Sequence, residues 1–109
     1  MLAETRLALR ISTTAYDAEL AALLESAAKD LEIAGVIIQG VVAFSTDNGV
    51  VTDECTVTDP LVCRALVTYV RAHFGIPDDY DRVKASYDEQ KAQLMAADGY
   101  TDFGDGDGE

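Results

Sequence analysis

Between Leu20 and Ala34 the sequence carries an unbroken apolar stripe: Leu20, Leu23, Leu24, Ala27, Ala28, Leu31 and Ala34 recur at spacings of one, three and four. On an α-helix this spacing gathers all seven on one side, whereas a half-buried strand needs strict alternation. The chain must therefore build an amphipathic helix of about five turns and cover its stripe with something else. Thr14 is placed as an N-cap with Asp17 three residues on, a capping box with Asp in place of Glu. Glu25 and Lys29 form an i,i+4 pair on the polar side. Gly35 stands where a helix C-terminus needs positive φ. The pattern predicts a helix over 15–34.

The covering elements are also legible. Asp59-Pro60 supplies an N-cap and a proline at N1, where its missing N–H costs nothing. Leu61, Val62, Ala65, Leu66, Tyr69, Val70 and Phe74 then follow at helical spacing, and Gly75 and Pro77 end the run. This predicts a helix over 60–74. Asp78 or Asp79 can cap a last helix over 79–97, with Tyr80, Val83, Tyr87, Leu94 and Ala97 on one face. Its stripe is thin, so it should be less buried than the other two. Residues 4–11 form a shorter candidate helix, with Leu7 and Ile11 sharing a face.

Residues 36–58 lose the helical period and become rich in Val, Ile and Thr. Asn48-Gly49 inside this stretch is a type I′ hairpin signal, since that turn needs positive φ twice in a row. A turn there sets Phe44 opposite Asp53 and Val42 opposite Cys55. Val42, Phe44, Val51, Cys55 and Val57 then share one face. A lone hairpin is marginal, so this one should lean on the helices or on a neighbouring subunit.

The expected fold is mainly α: a small bundle of three to four helices, a β-hairpin insertion at about 41–57, and a flexible acidic C-terminal tail. Residues 1–98 form one helical domain with the insertion at 36–58, and the Gly/Asp-rich residues 99–109 form the tail. A hydrophobic content of 49% is enough for a core in a chain of 109 residues.

Composition excludes several functions. Net charge is −12, so phosphate is repelled and sequence-specific DNA binding is disfavoured. The charge is uneven. Residues 1–77 hold ten acids and five bases, or −5, and residues 78–109 hold ten acids and three bases, or −7. No apolar run reaches about 18 residues, and no secretory h-region opens the sequence, so a cytosolic product with no membrane partner is expected. In that compartment Cys55 and Cys63 should remain structural thiols. Without a CxxC spacing, and with one histidine, they complete no zinc site.

No catalytic constellation emerges. His73 is the sole histidine. It stands in a last helical turn, where the dipole favours a cation, with no nucleophile motif beside it. The terminal glycines are followed by no helix and offer carboxylates where a phosphate needs amide donors. Asp98 to Glu109 has the length of a calcium loop, but Phe103 occupies the position that demands glycine. Asp78, Asp79 and Asp81 suit the first turn of a helix better than a metal site. Catalytic, cofactor and metal residues are accordingly expected to be none.

The order LRISTTAYDAELAALLESAAKDLEIAGV, DPLVCRALVTYVRAHFG, YDRVKASYDEQKAQL and GYTDF, from about residue 7 to residue 103, resembles the head–tail connector, or DNA-packaging adaptor, proteins of long-tailed phages. Residues 36–58 depart from that pattern, being longer than the usual connection. The resemblance implies a non-enzymatic virion protein at the head–tail junction, assembled in the host cytoplasm. It implies a ring, commonly of about twelve copies, that docks beneath the portal, extends the DNA channel and receives a tail-side stopper protein. DNA would be passing cargo only. The resemblance implies a grip on the portal through a flexible C-terminal segment and an interhelical loop; the former here points to Tyr100, Thr101, Asp102 and Phe103, the aromatics serving as anchors. Phe44, Asn48, Tyr80 and Tyr87 are candidates for subunit contacts. Asp78, Asp79 and Asp81 are candidates for the channel wall, where like charge keeps DNA mobile.

Two readings of other classes compete. An acidic DNA-mimic inhibitor would need acids at phosphate spacing on a rigid face, whereas much of the acid here lies in the tail. A small helical regulator would form a two-fold dimer instead of a ring.

Overall fold

A computed structural model describes residues 1–74 and 80–96. Its elements run α1 (Leu2–Ala8), α2 (Asp17–Ile33), β1 (Phe44–Asp47), β2 (Val50–Asp53), α3 (Pro60–His73) and α4 (Tyr80–Ala96). The mainly helical fold with one hairpin is thus as expected. The predicted tail 99–109, the last-helix start at Asp79 and the breakers Gly75 and Pro77 lie outside the described residues.

The core forms where the stripe of α2 meets α3. Leu20, Leu24, Leu31, Leu66, Val62 and Val70 are fully enclosed. Each such side chain contributes about 1.5–3 kcal/mol by leaving water. From α4 come Val83, Tyr87 and Leu94, its only buried residues, against seven on α2. The last helix is the more exposed one, as its thin stripe predicts.

The ends of α2 show one expectation met and one corrected. At the C-terminus Val36 N donates to Leu31 O and Gly35 N to Glu32 O, with Gly35 at φ 98°. This is a Schellman closure, and Val36 is buried beneath it. At the N-terminus Thr14 is not the cap. The cap position is Tyr16, with no side-chain hydrogen bond. The Asp17 carboxylate turns instead to Arg6, with Oδ1 at 3.4 Å from Nε, and so ties α2 to α1. The α3 start is as read from the sequence, with Asp59 accepting from Leu61 N and Val62 N.

The first helix begins earlier than expected and buries a different face. Leu2 and Thr5 point inward, while Leu7 is 79% exposed. Thr5 satisfies its hydroxyl on Met1 O at 2.7 Å. Leu2 N is held at 2.7 Å by the Asp53 carboxylate of β2. That long-range anchor, rather than an i,i+4 pattern, sets which side of α1 turns in.

The hairpin has the register read from the turn: Phe44 faces Asp53, and Asp47 faces Val50. Asn48 and Gly49 both take positive φ, 53° and 80°. The regular strands are shorter than 41–57 for a visible reason. The ladder continues one-sidedly through Glu54 N to Ala43 O and Thr56 N to Val41 O, but Val41 N takes the Thr56 hydroxyl instead of a carbonyl. Val42, Phe44 and Val51 lean on the core of their own subunit. The opposite face is left open, with Val41 and Val50 exposed.

Candidate functional site

The residues that could have carried chemistry are engaged structurally. His73 Nδ1 lies 2.8 Å from Tyr69 O, and its ring stacks on Tyr69. Cys55 donates to Ala43 O and Cys63 to Val57 O. Burial pushes the Cys55 thiol up to about 11, helped by the neighbouring Asp53 carboxylate, and burial also raises Cys63. Neither is poised as a thiolate. Among the described residues no cluster of His, Cys, Asp or Glu could hold a metal ion. None of their helices is long and apolar enough to cross a membrane.

What the fold displays are surfaces. Asn48 is exposed at the hairpin tip, and Phe44 and Tyr80 are half-buried. Tyr80 meets the His73 ring edge-on, with centroids 6.3 Å apart. Tyr87 lies within the subunit: it is 4% exposed and its hydroxyl donates to Asp30. Four expected contact residues therefore occupy three different environments. Asp81 is exposed in the first turn of α4. Asp78, Asp79, Tyr100, Thr101, Asp102 and Phe103 lie outside the described residues.

Two surface features were missed in the sequence. An apolar margin follows the end of α2 into the hairpin, where Ile33, Ile37 and Val41 are exposed. Ile33 ends α2 outside its apolar stripe, Val41 lies on the outer face of the hairpin and Ile37 falls between the two elements, so no single sequence period joins them. The second is a groove of about 670 Å³ between α1, α3 and α4, lined by Arg64, Arg71 and Arg82. Arg64 and Arg71 stand seven apart, two turns on one helix face, so half of that signal was present in the sequence.

The described residues form a helical module with several exposed surface patches. The family model for phage connector proteins matches residues 1–101. The chain belongs to the phage connector family. The match begins at residue 1 and its span takes in the hairpin as well as the helices. No curated protein and no solved structure matches the chain. This connector is a structural component of the phage particle.

Proposed function

We propose that this connector closes into a ring of about twelve copies beneath the portal, extends the DNA channel and receives a tail-side stopper protein. The observation that carries the reading is the family match over residues 1–101. The surfaces support it. A head-to-tail ring needs two unlike, complementary patches on each subunit. The open hairpin face with Val41, Val50 and Asn48 offers one, and the α3–α4 side with Tyr80 offers another. Phe44 and Tyr87 act from beneath, holding the hairpin and α4 in place. The segment Tyr100–Phe103 binds the portal, and Asp78, Asp79 and Asp81 face passing DNA. Assembly takes place in the host cytoplasm.

Native mass spectrometry of the chain, alone and mixed with portal rings, tests the proposal. A closed species of about twelve copies, free or on the portal, is the expected result. A two-fold dimer with no affinity for portal would overturn it.

A further inference from the structure

Among eight basic residues in a chain of net charge −12, three line one groove. Arg64 and Arg71 project from α3 and Arg82 from α4. Among the described residues Glu4 is the one acid on its walls, and it is engaged by the Met1 amino group at 2.9 Å. Arg64 and Arg71 are exposed and make no ion pair among the described residues. Pro60, Val67 and Val83 supply apolar wall, and the buried Gln90 Oε1 has no donor. The groove thus presents positive charge, an unused acceptor and some apolar surface, which suits an extended acidic peptide.

A segment of that chemistry follows α4 in the sequence. α4 ends at Ala96, and Leu94, Gln93 and Gln90 near that end share a small pocket with Arg64 and Leu61 of α3. Residues 98–109 follow, with Asp98, Asp102, Asp105, Asp107 and Glu109 and no base. Gly99 permits a reversal of direction. From Arg64 to Arg71 is about 10 Å along the helix, a span that three or four extended residues cover.

We propose that the acidic C-terminal segment 98–109 of this same chain lies in the Arg64–Arg71–Arg82 groove. The short tether raises its local concentration to about the millimolar range, enough to favour contacts that would be weak between separate molecules. If the reading of Tyr100–Phe103 as the portal anchor holds, the groove shelters that anchor until the portal takes it. Subunits would then mature on the portal rather than in free solution.

The test uses the full-length chain labelled with ¹⁵N and follows the side-chain Nε–Hε signals of Arg64 and Arg71, with Arg10, outside the groove, as control. The comparison is with a chain carrying D98N, D102N, D105N and D107N, whose substitutions all fall beyond α4. The expected result is a shift of Arg64 and Arg71 between the two chains that disappears in about 0.5 M salt and does not change on dilution. Identical Arg64 and Arg71 signals in both chains would overturn the proposal. A shift lost on dilution would overturn it too, by assigning the groove to the segment of a second copy. No portal is present, so the outcome is separate from that of the portal-anchor reading.

Discussion

The Tyr87 hydroxyl donates to Asp30 Oδ2 at 2.5 Å, joining α4 to α2 across 57 residues of sequence. Lys91 Nζ reaches the same oxygen at 3.2 Å and stands 5.5 Å from the centre of the Tyr87 ring. Burial works to raise the Asp30 pKa, but the Tyr87 and Lys91 hydrogen bonds outweigh it and hold the carboxylate below its usual range. Burial and the same carboxylate raise the phenol above its ordinary value. The Tyr69 ring meets Tyr87 edge-on at 5.2 Å. These contacts add polar fastening to a helix that buries Val83, Tyr87 and Leu94.

Replacing Tyr87 with Phe keeps the ring and removes the donor. We expect a loss of about 0.5–1.5 kcal/mol, read as a drop of a few degrees in Tm. Asp30→Ala should cost a similar amount, and the double variant should lose less than the sum. Strict additivity in the double-mutant cycle would show that the pair is not coupled.

Acid should loosen the attachment of α1 to the hairpin. Burial acts to raise the Asp53 pKa, yet hydrogen bonds from the Met1 amino group and from Leu2 N and Cys55 N dominate and depress it far below the ordinary value. A depressed folded-state pKa stabilises fully above the unfolded value of about 3.9 and loses that contribution as pH falls towards the folded one. Asp30 acts in the same direction. Urea midpoints should therefore be flat from about pH 7 to 5 and fall below about pH 4. Asp53→Asn should lower the plateau and flatten the fall. A variant whose acid limb matches that of the parent would remove Asp53 from this role.

Two glycines separate strain from collision. Both have positive φ, +107° at Gly40 and +80° at Gly49. A Cβ on Gly49 meets nothing within 4 Å, whereas one on Gly40 would lie 2.9 Å from Val57 N. Gly49→Ala should cost about 1 kcal/mol, from backbone strain. Gly40→Ala should cost at least about 2 kcal/mol, because backbone must also move. Equal denaturation midpoints for the two variants would contradict this.

Deleting residues 99–109 should leave the far-ultraviolet circular dichroism of α1–α4 unchanged while abolishing portal binding in a pull-down. Undiminished capture of the truncated chain would place the portal contact elsewhere.

Changing Asp78, Asp79 and Asp81 to Lys should slow DNA movement through assembled particles, since cations bind the passing phosphates. Packaging and ejection assays read the effect. Normal packaging and ejection would move the channel wall to other residues.

The sequence by itself determined the elements that rest on local physics. The period of Leu20–Leu31 specified α2, Asp59-Pro60 specified the start of α3, and Asn48-Gly49 specified the hairpin register, with Phe44 opposite Asp53. Each depends on backbone propensity or spacing within a few positions. The order of these segments was also enough to indicate the connector family. The tertiary structure decided what depends on distant partners. Asp17 left its capping role for Arg6, Leu2 and Thr5 rather than Leu7 turned inward because Asp53 holds the start of α1, and the hydroxyl of Tyr87 found its partner in Asp30 of α2. The basic groove exists only once α1, α3 and α4 come together. Charge and hydrogen bonding act through space over a few ångströms, and no period in the chain records which residues folding will bring that close.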